Sequence, residues 1–413
     1  MRTVLDRFLD YIGFDTQSND STGTHPSTPG QFELARHLAE ELEAIGAEKV
    51  RVSEHACVTA CLPATPGLEQ IPPLGLIAHL DTSDAASGRE IHPQIVKYTG
   101  GTIPLGKSGK TLDPARFPFL NRLTGHTLIT TDGTTLLGAD DKAGIAEIMT
   151  AAEQILSRNL PHGTLCIGFT PDEEIGEGTL CFDVAAFGAA YAYTLDGGAA
   201  GEIEYRNFNA AEAEVKIRGV NVHPGSAKGI MVNAQKVAFA FDAMLPAAET
   251  PEATDGLEGF YHLARTSGTV GEAQLTYLLR DHDAEKFAAR KEKLREIAAQ
   301  QNRQYGEGTV TVTCRDQYRN MEEVIARHPQ LLEIARRAVR EAGLVPSEPP
   351  IRGGTDGALL SFRGLPCPNL GTGGYNFHGE SEFASLEEME RSVEVILGIV
   401  RGFLREPPRP THG

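Results

Sequence analysis

Hydrophobic spacing changes character twice along this chain. Near the start, Val4, Leu5, Phe8 and Ile12 fall on one face of a helical period. Residues 31–45, QFELARHLAEELEAI, repeat that period and stop at Gly46. LGLIAHLDT (74–82) is instead a short continuous apolar run entering a polar turn, which predicts a buried strand. The Gly- and Pro-rich stretch 90–130 shows no clear core element and reads as an inserted hairpin and loop. LLGADDKAG then leads into a helix reaching about Ser157, with Ile145, Ile148, Ala152 and Ile155 in its apolar stripe. TLCIGFT (164–170) and YAYTLD (191–196) are two more buried strands. Strands alternating with helices predict an α/β fold with a mostly parallel sheet.

From residue 208 the period becomes two. Ala211, Ala213, Val215 and Ile217 alternate with Glu212, Glu214, Lys216 and Arg218, as in an antiparallel sheet with one wet face. The alternation recurs at 273–280 and 309–314, and helices are expected at 232–245 and 283–303. After a further helix at 329–342, LPCPNL (365–370) returns to buried-strand character. The expected organisation is an α/β domain built from residues 1–207 and 321–413, with an α+β domain of residues 208–320 inserted between its halves.

Composition narrows the function classes. With 38 basic and 56 acidic residues among 413, the formal charge of −18 would repel a phosphate backbone, so no general nucleic-acid binding is expected. Asp6, Arg7 and Asp10 interrupt the N-terminal stretch, which therefore lacks a signal-peptide core. No apolar run approaches the ~20 residues that span a bilayer. Six scattered cysteines without a CxxC pair point to a reduced, cytoplasmic protein.

The placement of His, Asp and Glu carries the chemistry. His79 and Asp81 end the first buried strand, and Asp140 and Asp141 precede the long helix. Glu173 and Glu174 follow the strand ending at Thr170, Asp196 ends the next, and His378 lies beyond the last. Open α/β sheets bind ligands at the carboxyl ends of their strands, so these segments should meet at one edge. Such an N/O donor set suits Zn²⁺, Co²⁺ or Mn²⁺. Two divalent cations, three carboxylates and one hydroxide sum to neutrality, which five ligands would permit. Spacing alone does not choose between Asp140 and Asp141, or between Glu173 and Glu174; Asp141 at a helix start also reads as an N-cap. Asp81 lies on the same side as His79 in strand geometry and can hold its tautomer. Histidines elsewhere, from His25 to His412, read as ordinary hydrogen-bonded residues, with His223 set apart below.

Residues 101–108, GTIPLGKS, match GxxxxGK[ST] letter for letter. Pro114 and Pro118 follow closely and no amphipathic helix begins at Ser108, so a phosphate-binding loop is rejected. HExxH and GxSxG do not occur.

AHLDT, LLGADDKAG, FTPDEE, YTLDGG, NVHPG, PIRGGTDGA and GGYNFHG, in this order over essentially the whole chain, resemble the M20 metallopeptidases, most closely their tripeptide-aminopeptidase branch. The resemblance implies a zinc-peptidase catalytic domain with an inserted ferredoxin-like lid and dimerisation domain. It implies two Zn²⁺ per subunit, with Co²⁺ or Mn²⁺ as substitutes. By motif, His79 and Asp196 resemble ligands of one ion, Asp140 the bridge, and Glu174 and His378 ligands of the other. Asp81 matches the residue that orients His79, and Glu173 the general base. A cis peptide is implied between Asp140 and Asp141. His223, from NVHPG, is expected to reach the site of a homodimer partner and serve the oxyanion there. Arg280 and Arg352 are expected to hold the peptide's C-terminal carboxylate, and Asn233 to touch substrate. The implied reaction removes the N-terminal residue of tripeptides, with the 90–130 insertion walling off the cleft. Other M20 activities, such as dipeptidase or aminoacylase, would share the same ligands.

Overall fold

A computed structural model describes residues 1–408; residues 409–413, His412 among them, lie outside the described residues. The chain divides into two units. One comprises Met1–Tyr205, Met321–Pro349 and the chain from Thr355 on; the other comprises Arg206–Asn320 and Pro350–Gly354.

The first unit is built on a seven-stranded sheet. Its order is Glu48–Val52, Val58–Leu62, Leu165–Thr170, Leu74–His79, Tyr191–Gly197, Asn369–Gly371 and Ile203–Glu204. The third to sixth of these run parallel, and the flanking strands join antiparallel. Every residue of Leu74–His79 and Leu165–Thr170 is buried, which is why both read as continuous apolar runs. Helix Ala139–Ser157 packs on Leu74–His79 and Tyr191–Gly197. Ile145, Ile148 and Ile155 are at most 1 % exposed, each burial contributing about 1.5–3 kcal/mol. A Cβ at Gly144 would meet the Leu195 carbonyl oxygen at 1.9 Å, so only glycine lets the helix approach this strand.

The structure departs from the sequence pattern in several places. Strands Glu48–Val52 and Phe260–Gly268 carry mostly solvent-facing residues and give little hydrophobic signal. Strand Val58–Leu62 and helix Leu386–Arg405 also lie outside the elements the pattern predicts. The strand expected over 365–370 is confined to Asn369–Gly371. Pro366 and Pro368 have no N–H to donate, yet their carbonyls accept from Ala192 and Thr194 at 3.0 and 3.1 Å.

Segment 90–130 is the largest correction. Tyr98, Ile103, Leu105, Leu112, Leu120, Leu123 and Leu128 form a core of their own with Phe383. Strands Gln94–Lys97 and Thr127–Thr130 join Gly374–Tyr375 and Phe383–Ser385 in a four-stranded sheet. Its apolar residues are spaced by tight turns, so no window long enough to show a period exists in the sequence. The GTIPLGKS segment runs through the hairpin Ile103–Leu105/Lys110–Leu112.

The second unit has four antiparallel strands in the order Phe260–Gly268, Glu272–Asp281, Asn209–Arg218, Val310–Tyr318. With helices Ala234–Asp242 and Ala284–Tyr305 the chain order is βαββαβ, the ferredoxin-like arrangement. Ala213, Val215 and Ile217 pack against Val237, Phe241, Leu294 and Ile297.

Candidate metal centre

His79 is the last residue of its parallel strand and is 2 % exposed. Its Nδ1 lies 3.0 Å from the Asp81 carbonyl oxygen and 3.4 Å from the Asp81 carboxylate. A carbonyl can only accept, so Nδ1 carries a proton and Nε2 is the ring nitrogen that faces the site. Nε2 lies 2.8 Å from Asp140 Oδ1 and 3.4 Å from Asp196 Oδ1. From the opposite side, His378 Nε2 lies 3.0 Å from Asp140 Oδ2 and 2.9 Å from Glu174 Oε2. Asp140 therefore offers one oxygen to each imidazole. The Asp140–Asp141 peptide is cis.

A second ring of residues holds the backbones of these groups. Asp141 makes no N-cap hydrogen bond: its Oδ2 accepts from the His79 N–H at 3.0 Å, and its buried Oδ1 has no hydrogen-bond partner among the described residues. Glu382 accepts instead from the N–H groups of Leu137, Gly138 and Asp140, at 2.6, 2.9 and 3.1 Å. The Asp81 carboxylate accepts from the N–H groups of Glu173 and Glu174 at 2.9 and 3.1 Å, a role beyond the imidazole. Asp172, with φ 57°, accepts from Ser27 and Gln31 and anchors that turn from its other side. Asn369 Oδ1 accepts from the Asp196 N–H at 3.0 Å, and Thr355 Oγ1 donates to Asp196 Oδ2 at 3.3 Å. Sequence reasoning passed over Glu382, Asp172 and Asn369. Only Asp172, inside TPDEE, carried a signal, its neighbours being the two glutamates.

Burial dominates the electrostatics. It pushes Glu173 well above the ordinary carboxylate range, with the nearby Asp196 charge adding to the rise. Burial and then Asp140 push Glu174 up to about 7, and burial raises Asp196. Burial would raise Asp140 too, but hydrogen bonds from His378 and His79 hold it below its usual value. Hydrogen bonds to Asp140 and Glu174 carry His378 up to about 11. So many carboxylates in one buried space repel one another, and divalent cations relieve that repulsion. Glu174 Oε1 is buried without a hydrogen-bond partner among the described residues. The donor atoms of His79, Asp140 and Glu174 lie within 4.8 Å of one another, as do those of His79, Asp141 and Asp196. Two imidazoles with carboxylate oxygens fit zinc chemistry.

The other expected site residues lie in the second unit. His223 is exposed, and its Nδ1 accepts from the Gly225 N–H at 3.1 Å. Asn233 caps helix Ala234–Asp242 through the N–H groups of Gln235 and Lys236. Arg280 donates to the Leu279 carbonyl at 2.9 Å and lies over the Tyr318 ring. Arg352 donates to carbonyls of Thr254, Gly256 and Glu258 and stacks on Phe208 and Phe260. Its guanidinium thus holds the 254–258 loop.

Asn369 also donates to Glu204 at 2.7 Å, and burial pushes that carboxyl up to about 8. A raised carboxyl favours folding while protonated, so its contribution is full below the unfolded value near 4.5 and is lost as pH rises towards 8. Glu204→Gln is expected to flatten this slope. Its melting temperature should exceed wild type at pH 8–9 by a few degrees and match it near pH 5; equal slopes in both proteins would refute the assignment.

Comparison with known proteins adds to this geometry. The model of "Peptidase family M20/M25/M40" matches residues 130–402. Peptidase T of Edwardsiella ictaluri is 55 % identical over 405 residues, covering 97 % of each chain. The crystal structure of aminopeptidase PepT from Bacillus cereus superposes with a TM-score of 0.77 at 25 % identity, covering 97 % of this chain and 98 % of that one. A dinuclear metal-binding peptidase of family M20 from Bacillus subtilis shares the fold, with a TM-score of 0.64 at 15 % identity over 97 % of both chains.

Proposed function

The chain belongs to peptidase family M20/M25/M40, and on that premise we propose that it is a dinuclear zinc aminopeptidase releasing the N-terminal residue of tripeptides. One observation carries the metal reading: two imidazole Nε2 atoms face separate oxygens of Asp140, at 2.8 and 3.0 Å. A carboxylate so placed is suited to bridge two cations. His79 and Asp196 would hold one zinc, Glu174 and His378 the other, with Asp140 shared; Co²⁺ or Mn²⁺ would substitute. The peptide specificity rests on relatives named Peptidase T at more than half identity over nearly the full length.

When bound, the two ions supply Lewis-acid polarisation of the scissile carbonyl and lower the pKa of water towards ~7. Glu173 takes the proton of the attacking water and passes it to the leaving amine. Its position for that transfer is set by the Asp81 carboxylate, which holds the Glu173 N–H at 2.9 Å. Asp81 also fixes the His79 tautomer through its carbonyl. We assign Arg280 and Arg352 to the peptide carboxylate and Asn233 to the substrate, each exchanging an internal hydrogen bond for one to the peptide. His223, exposed in its own unit, is assigned to the oxyanion in the partner's site of a homodimer. Among the described residues no helix is long and apolar enough to cross a membrane and all six cysteines are unpaired; a cytoplasmic setting is our reading of those free thiols.

Initial rates on a free tripeptide, its N-acetyl form, a dipeptide and a tetrapeptide test the specificity. The free tripeptide should be cleaved fastest, and rapid cleavage of the blocked peptide would refute an aminopeptidase. Mixing His223→Ala with Glu173→Ala protein should restore about a quarter of wild-type activity, because random exchange of a two-fold dimer makes half the dimers hybrid with one competent site each. No recovery in confirmed hybrid dimers would remove His223 from the partner's site.

A further inference from the structure

Among the groups around the site, Glu382 has no part in the mechanism above, yet it is 1 % exposed and fully engaged. Its Oε2 accepts from Leu137 and Gly138, and its Oε1 from Asp140 itself. Gly138 has φ 79° and begins helix Ala139–Ser157 with no side-chain cap. The carboxylate thus holds, from 242 residues away, three backbone N–H groups of the turn that leads into the non-helical Asp140–Asp141 step.

The same carboxylate belongs to the loop that carries His378. Residues 376–382 connect the strands Gly374–Tyr375 and Phe383–Ser385, which pair with each other, and Phe383–Ser385 pairs on its other side with Thr127–Thr130. Within the loop, Asn376 donates to the Ser381 carbonyl at 3.1 Å, and Glu380 pairs with Lys110 of the inserted hairpin. His378 itself sits at φ 61°, a conformation that costs a non-glycine residue about 1–3 kcal/mol and persists only where the surroundings impose it. The loop therefore grips Asp140 twice. His378 meets its carboxylate at 3.0 Å, and Glu382 holds its backbone N–H at 3.1 Å.

We infer that Glu382 is a positioning residue, fixing the distance between Asp140 and His378 and thereby the geometry in which the second metal ion is bound. The inference rests on the dinuclear reading above. It also gives segment 90–130 a task besides shaping the cleft, because strand Thr127–Thr130 pairs with the strand that begins at the residue after Glu382.

Co²⁺ titration of metal-stripped protein, followed by calorimetry and by the visible absorption of the bound ion, tests this alongside steady-state kinetics. In Glu382→Ala, the second Co²⁺ should bind at least about tenfold more weakly while the first binds as in wild type. Its absorption band should shift, and kcat at saturating metal should fall at least about tenfold with KM within about twofold. Glu382→Gln keeps one acceptor oxygen but turns an NH2 towards backbone N–H groups, so it should show the same changes to a smaller degree. It also decides the matter should the alanine variant fail to fold. Wild-type Co²⁺ affinities, spectrum and kcat in the glutamine variant would overturn the inference, even with a lowered melting temperature, since that is all a merely structural contact would produce. Glu173→Gln run in parallel separates the two readings. If it retains turnover, the hydrolytic mechanism fails; if it is inactive while Glu382 variants bind and turn over normally, only the positioning role fails.

Discussion

Glu173→Gln is expected to lower the turnover of a tripeptide about 10²–10⁴-fold, the range that loss of a positioned general base produces. The amide preserves side-chain volume, and the backbone N–H of residue 173 still reaches the Asp81 carboxylate at 2.9 Å. The loss should therefore appear in kcat, with KM little changed and two metal ions still bound per chain. Burial holds Glu173 above the ordinary carboxylate range in the metal-free protein. Neighbouring divalent charge opposes that rise, so Glu173 should ionise when the proposed centre is filled. The pH–rate profile of the wild-type enzyme should then show an acidic limb that is absent from the residual activity of the glutamine variant. Turnover within threefold of wild type would exclude Glu173 as the base.

Asp140→Ala is expected to be as severe for a different reason. Both imidazoles lose the carboxylate they share, so in the proposed dinuclear centre neither ion would retain its full set of donors, and activity should fall roughly 10³-fold or more together with metal content. Elemental analysis after gel filtration would show less than one ion per chain. The metal-free proteins should also differ. In wild type, hydrogen bonds from His378 and His79 hold Asp140 below its usual value against the effect of burial. A depressed carboxyl stabilises the fold above its unfolded pKa near 3.8, and that contribution is lost as pH falls through the folded value. Chelator-treated wild type should melt higher than the variant at pH 7, and the gap should close as the pH drops below 4. A variant that keeps two tightly bound ions would show that Asp140 is not the bridge.

How much of this was legible in the sequence depends on whether the signal was local. His79, Asp196 and the Glu173–Glu174 pair stand at ends of apolar runs, and those runs are legible because buried parallel strands have two apolar faces. Strict alternation announced Asn209–Arg218, whose neighbour Glu272–Asp281 shows the same inside–outside pattern. The 90–130 segment gave no such sign. Its core is assembled from single residues on short strands and turns, and is completed by Phe383 from far along the chain.

The sequence by itself determined which residue types reach the ends of the strands, because period and polarity along a strand fix which side chains are buried and where the apolar run stops. Only the tertiary structure decided what adjacent, chemically identical residues do. Asp140 turns to His79 and His378, whereas Asp141 turns to the backbone of His79. The backbone leading into this pair is held by Glu382. Hydrogen-bond partners are chosen by proximity in space, and a carboxylate 242 residues away leaves no trace in the local pattern.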